Sequence, residues 1–389
     1  MATEQQLMSE LATSVALDVE RQEEARQYAR VRRRLMVVDL ALGAIYLVVW
    51  LVTDLNLALR DWVWTVSSSP MVAVLLYGVI FALPYGLLDV PMSFYSGYIL
   101  PHRYGLSNQT LANWIGDQLR GLAIAGVFGL LVLEIVYWLL RRAPDLWWLY
   151  AGGFMLLLTV VLSSLAPVVI MPLFFKVTPL EDEDLARRLT MLAEKAGTNV
   201  RGVYRFDMST RTKSANAALV GLGATRRIVL GDTLLDEFTA DEVETILAHE
   251  LGHHVHHDIP LGVAVNTVLT LVSFFVAHQV LRWGVEPFGL IDAADPAGLP
   301  VLMLVSAILG LIALPLGNAY SRWRERMADR YALESTGKPQ AFATAMTRLA
   351  NQNLGEFDPD QWVVVLLHSH PPIRKRVEAA LAFEAAGSP

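Results

Sequence analysis

The chain of 389 residues contains no cysteine. That absence excludes disulfides, thiolate metal sites and cysteine nucleophiles together. Any metal must be held by His, Asp or Glu. Charge is scarce as well, with 18% Asp, Glu, Lys and Arg against about 25% in an average soluble domain. An excess of basic charge is missing too. The formal net charge is −7 and the isoelectric point is near 5.7, whereas a nucleic-acid binder needs a clustered basic footprint, so no nucleic-acid partner is expected. What is abundant is apolar: 54% of residues are hydrophobic and the mean hydropathy is +0.41. These values exclude a disordered or collagen-like chain and point to a membrane protein.

Several apolar runs approach the roughly 20 residues that cross a bilayer. They lie at 35–52, 71–88, 121–140, 146–170, 259–281 and 299–316, which predicts six spans. The first follows 34 mostly polar residues with no small-residue cleavage pattern behind it, so it is read as a signal anchor. Arginines 26, 30, 32, 33 and 34 precede it, and the segments after spans two, four and six are also Arg-rich. The Arg141–Arg142 pair runs against this trend, but the balance predicts both termini in the cytoplasm. Arginine far outnumbers lysine, which points to a bacterial plasma membrane. The expected organisation is a tail at 1–34, spans one to four at 35–175 with a loop at 90–119, a cytoplasmic part at 176–258, a membrane hairpin at 259–318, and a C-terminal cytoplasmic segment at 319–389.

The first cytoplasmic part carries the chemistry. A helix over 181–196 is followed by β-like runs at 200–206, 217–220 and 227–230. Then Thr239-Ala-Asp-Glu242 reads as a capping box opening a helix to about His257. That helix contains His249-Glu250-Leu251-Gly252-His253. Histidines at i and i+4 share one face and reach a single ion, while the glutamate between them is placed to take a proton from a water on that ion. The pattern alone is only moderately specific.

A catalytic zinc usually takes three protein ligands. His254, His256, His257 and Asp258 lie nearby, but a third ligand from the same straight helix points past the ion. Those residues read as a polar helix end at the membrane surface. A hairpin of spans five and six returns the chain to the same face. His253 precedes span five by six residues, and Glu325 follows span six by nine, so both stand about 9–14 Å above the membrane. Residues 321–331 look helical and put Glu325 and Asp329 on one face. One can bind zinc and the other can accept the second N–H of a ligating histidine. Taken without the histidine motif, this stretch is an ordinary solvated Glu–Arg helix.

The combination of HExxH, the downstream Glu325-Arg-Met-Ala-Asp329 and a later His370-Pro-Pro resembles the type I CAAX prenyl endopeptidases, polytopic zinc metallopeptidases of the gluzincin group. Residues 94–105 and 107–111 resemble that family's loop between early spans. Ser214-Ala-Asn216, Arg226–Leu230 and Asp232–Leu235 resemble its substrate-side strand region, and 368–376 its C-terminal motif. The resemblance implies a bundle of six or seven transmembrane helices with an α+β metallopeptidase part inserted before the last two spans and completed by the C-terminal segment. It implies one Zn2+ held by His249, His253 and Glu325, Glu250 as general base, Asp329 behind a ligating histidine, and Asn216, His370 and Arg376 facing the substrate. His370 is expected to steady the oxyanion and Arg376 a substrate carboxylate. Two departures stand out: six spans are read where seven are usual, and Ser214 occupies the place of a histidine.

The expected activity is zinc-dependent hydrolysis of peptide bonds in C-terminal, prenylated CAAX-type or other membrane-associated substrates. A general membrane quality-control protease with no lipid requirement, and a scaffold with a vestigial metal site, are the alternatives. A site-2-type intramembrane protease is excluded, because the chain has no Asp-Gly dipeptide. Glu134, Asn266 and His278 lie within spans, where polar groups are costly. They read either as lining of an internal chamber or as helix–helix hydrogen bonds.

Overall fold

The computed structural model describes residues 17–221 and 223–387; the first 16 residues of the expected tail lie outside them. Among the described residues six helices are long and apolar enough to cross a membrane. The first, α1 (Val19–Val52), is capped by the Asp18 carboxylate and carries the arginines of the expected tail in its first half. A short helix, α2 (Leu55–Val66), follows. Then come α3 (Pro70–Arg103), α4 (Leu111–Arg142) and α5 (Trp147–Phe174). The expected loop at 90–119 is therefore a correction: only 104–110 connect α3 to α4. Its Gly, Pro and Tyr content reads as loop, yet a π turn at Tyr95–Ile99 carries the helix through to Pro101, widening the hydrogen-bond ladder ahead of a residue that has no N–H to give.

The water-exposed part then begins. It contains β1 (Val177–Pro179), α6 (Glu183–Lys195), β2 (Val203–Phe206), β3 (Ala217–Val220) and β4 (Arg227–Gly231). They are followed by α7 (Asp232–Glu237) and α8 (Ala240–Val255). The sheet order is β1-β2-β4-β3. β2 and β4 are parallel, with Val203 opposite Ile228, and β3 runs antiparallel to β4, with Ala217 opposite Leu230. β1 escaped the sequence reading because it is three residues long and ends on a proline, which an edge strand tolerates. The capping box of α8 is present, with Thr239 Oγ1 taking the Glu242 N–H and the Glu242 carboxylate taking the Thr239 N–H.

The chain returns to the bilayer through α9 (Asp258–Gly284), separated from α8 by only two residues. His257 makes that bend with φ 56°. α10 (Leu299–Thr336) crosses back and continues without a break into the water-exposed part. α11 (Pro339–Asn353), α12 (Gln361–Leu367) and α13 (Ile373–Ala385) complete it. One core unites these pieces: Leu189, Ile228, Leu230, Leu247 and Leu251 meet Phe342 and Val377 from the C-terminal segment. A second cluster joins the spans at their opposite ends, with Tyr137, Trp147, Ala277 and Leu281 at its centre. There Trp147 Nε1 donates to His278 at 3.1 Å, so His278 serves as a helix–helix hydrogen bond.

Between those two clusters the spans leave partly open hollows. Three adjoining cavities of about 560, 750 and 490 Å3 run from His370 into the membrane region. The first two share Tyr28, Arg32 and Met36 on α1, and the last two share Tyr85 on α3. The innermost is lined by Leu47, Phe81, Gly126, Leu130 and other apolar groups.

Candidate metal centre and active site

Two helices build the centre by crossing at a point where neither has bulk. A Cβ on Gly252 would lie 2.9 Å from Ala328 Cα and 3.1 Å from its carbonyl oxygen. Glycine on α8 facing alanine on α10 lets the backbones touch, and that brings Glu325, one turn before Ala328, opposite His249 and His253.

The ligand atoms of these three residues lie within 4.8 Å of one another. His249 Nε2 and His253 Nε2 are 3.2 Å apart. Glu325 stands 3.3 Å from the first and 3.4 Å from the second. Ligands at tetrahedral zinc with bonds of about 2.0–2.1 Å are separated by about 3.3 Å, so the triangle has the right edge. Glu325 Oε2 is buried and lacks a hydrogen bond, although His249 Nε2 stands 3.3 Å away. An unpaired buried carboxylate oxygen costs stability unless a cation meets it. The donor set, the spacing and the orphaned oxygen all fit a zinc ion.

Each histidine is held from behind by a carboxylate. His249 Nδ1 lies 2.9 Å from Asp329 Oδ1, and His253 Nδ1 lies 2.7 Å from Asp258 Oδ2. A carboxylate only accepts, so each Nδ1 carries the proton and each Nε2 is left free for an ion. Each carboxylate is in turn gripped by an arginine. Arg376 gives Nε and Nη2 to Asp329 at 2.9 and 2.5 Å. Arg324 gives Nε to Asp258 at 2.5 Å and a second bond from Nη2, and also reaches the His256 carbonyl. The result is two parallel Arg–Asp–His relays. Burial pushes the His249 imidazole down, but the Asp329 and Glu325 carboxylates outweigh it and hold it up to about 9. The pocket thus favours positive charge between the Nε2 atoms. Burial also pushes the Glu250 carboxyl up from its ordinary value.

Comparison with known proteins agrees with this geometry. Residues 179–384 match the model of peptidase family M48. The chain belongs to that family. Residues 3–176 match the model described as the CAAX prenyl protease N-terminal region with five membrane helices. M48 members are zinc metallopeptidases, and this chain is a multi-pass membrane metalloendopeptidase. It is 31% identical over 360 residues to the uncharacterized metalloprotease YhfN of Bacillus subtilis (strain 168), covering 92% of this chain and 84% of the relative. It is 30% identical over 299 residues to a CAAX prenyl protease 1 homolog of Oryza sativa subsp. japonica, covering 75% and 69%. The crystal structure of S. mikatae Ste24p matches with a TM-score of 0.84 at 25% identity, covering 94% of this chain and 90% of that one.

In this M48 peptidase the other expected site residues fall in different places. His370 is at the centre: its Nε2 is 3.3 Å from Glu325 Oε1, its side chain is 60% exposed, and it borders the first of the three cavities. Asn216 is exposed at the entry to β3. β3 is an edge strand of the sheet and packs against α8. Arg376 needs correcting. The expectation puts it on a substrate carboxylate, but it is largely buried and spends its fork on Asp329, which in turn meets His249 Nδ1. Asp258 was missed as the partner of His253, and Arg324 was missed altogether. The only signal was an acid five residues beyond His253, and the two-residue bend that turns it back is not readable from helix periodicity. His254 and His256 stay outside the ligand group, near Arg226 and Tyr331 respectively.

Proposed function

We propose that this M48 peptidase cleaves membrane-associated peptides near their C-termini, prenylated CAAX-type substrates among them. The observation that carries this reading is the run of three cavities from His370 to an apolar pocket between the spans. A lipid-bearing peptide can lay its chain in that pocket while its peptide bond reaches the metal centre. An unmodified soluble peptide has no use for it. The arginine distribution supports termini and metal centre on the cytoplasmic side.

His249, His253 and Glu325 would hold the zinc, which when bound would supply Lewis-acid chemistry to a water and to the scissile carbonyl. Glu250 takes a proton from the attacking water and delivers it to the leaving amine. Its burial suits that task, since a base works best with a pKa nearer the working pH. His370 faces the site from the solvent side and donates toward the developing oxyanion. Asp329 and Asp258 keep the imidazoles in the ligating tautomer. The free edge of β3, opened by Asn216, pairs with an extended substrate backbone by strand addition.

The test is cleavage of a farnesylated C-terminal peptide and its unmodified twin, with Glu250→Ala as the control. Cutting of the farnesylated peptide alone, and by wild type alone, supports the reading. Equal cutting of both removes the lipid requirement and leaves general quality control. Cutting by Glu250→Ala removes the proposed base.

A further inference from the structure

Beside the Asp329–Arg376 pair, and sharing only Pro371 and Pro372 with the cavity that borders His370, lies another cavity of about 550 Å3. Its wall includes Arg322, Arg326 and Arg330 of α10 and Lys375 of α13, with Val364 and Val365 of α12 at its edge. Arg330 is paired with Glu334 at 2.7 Å, and Asp329 is occupied by Arg376 and His249. Arg322 donates to the Val364 and His368 carbonyls. Among the described residues Arg326 and Lys375 are exposed and have no carboxylate partner. The cavity is therefore net cationic.

Its height above the bilayer follows from α10. The apolar run ends at 316, and Tyr320 and Trp323, residues typical of a membrane interface, come next. Arg322 and Arg326 stand about 9 and 15 Å beyond residue 316 along the helix, within side-chain reach of the headgroup layer. α12 is pinned at the same level, because Asn318 Nδ2 donates to the Leu366 carbonyl at 2.8 Å. On α12, Trp362, Val365 and Leu366 share one face at i, i+3 and i+4, and they are 56%, 41% and 44% exposed. An apolar helix face at the membrane boundary, beside an unneutralised cationic cavity, has the makings of an interfacial anchor.

We infer that this cavity binds the phosphate headgroup of an anionic phospholipid, with α12 seated in the leaflet beside it. Charge complementarity selects this occupant: the free charges of Arg326 and Lys375 match a phosphodiester. The cavity also borders Asp329 and Arg376, so an occupied site abuts the relay that orients His249.

The full chain is reconstituted in nanodiscs of phosphatidylcholine alone or mixed with phosphatidylglycerol. Bound lipid is read by native mass spectrometry. Trp362 quenching by bromolipids is taken as the difference from Trp362→Phe. Phosphatidylglycerol is expected to be retained over phosphatidylcholine, and the pair Arg326→Gln/Lys375→Gln is expected to lower that preference by about 30-fold, since each surface cation contributes a factor of about five. Retained zinc content shows that the pair is folded. Bromolipid is expected to quench Trp362. An unchanged preference in a zinc-loaded pair variant overturns the headgroup site. Quenching of Trp362 by aqueous iodide and not by bromolipid overturns the seating of α12. Displacement of phosphatidylglycerol by inorganic phosphate at equal concentration shows a phosphate site that needs no bilayer, and that too overturns it.

Discussion

Asp258→Asn separates the metal from the fold. The wild-type carboxylate accepts from His253 Nδ1 at 2.7 Å and from Arg324. Asparagine keeps the shape and one acceptor but loses the charge. Removing the outer partner of a ligating histidine typically costs 10–100-fold in metal affinity, or about 1.4–2.7 kcal/mol. The second effect falls on Arg324, whose side chain is only 9% exposed. Breaking a buried ion pair by removing one partner costs about 3–5 kcal/mol. Arg324 keeps the His256 carbonyl and its place over the Trp323 ring, which puts the loss near the lower end, about 3 kcal/mol. Melting the apoprotein reads the second effect alone. The extra stability on adding zinc reads the first, because a ligand stabilises by RT ln(1 + [L]/Kd), and chelator competition gives Kd directly. Arg324→Gln is expected to show most of the stability loss with a smaller loss of zinc. Zinc affinity within twofold of wild type in Asp258→Asn would refute the relay.

Other outcomes follow from the same geometry. Glu250→Gln is expected to hold zinc at full occupancy while turnover falls at least about 100-fold, the usual contribution of a general base, and Glu325→Ala to lose zinc in dialysis; metal analysis alongside a peptide assay checks both. Gly252→Ala places a methyl 2.9 Å from Ala328 Cα, which is expected to cost about 1–3 kcal/mol and to weaken zinc binding by parting α8 from α10, measured by denaturation and metal titration. Asp241 and Glu244 bind Arg188 and Lys338. In Asp241 those cations lower the carboxyl directly; in Glu244 burial raises it but the cations outweigh it, so both lie below the ordinary value. The stability they add is complete above the unfolded carboxylate pKa and is lost as pH falls through the lowered folded value. Lys338→Met should therefore be less stable than wild type at pH 7 and converge with it as pH falls through the lowered folded values; parallel curves throughout the acid limb would exclude this pairing as the cause.

The local chemistry of this protein was legible in one dimension. Apolar run length marked all six spans, because crossing a bilayer demands it. The capping box opened α8 where Thr239 and Glu242 stand, and helical spacing put His249 and His253 on one face. The third member of the group that could hold a metal was narrowed to two acids, since Glu325 and Asp329 share a helix face. Boundaries were weaker where the signal is ambiguous: residues 90–103 have a loop's composition, yet the π turn keeps them helical.

The choices between remote groups belonged to the tertiary structure. Glu325 and Asp329 are equivalent on their own helix, and only the close crossing at Gly252 and Ala328 sets Glu325 against the Nε2 atoms and Asp329 behind His249. Arg376 looked like a substrate contact until the fold brought it onto Asp329. Asp258 and Arg324, 66 residues apart in sequence, meet because a two-residue bend turns α9 away from α8. Periodicity describes which residues share a face, but which two faces meet is decided by how closely the backbones can pack.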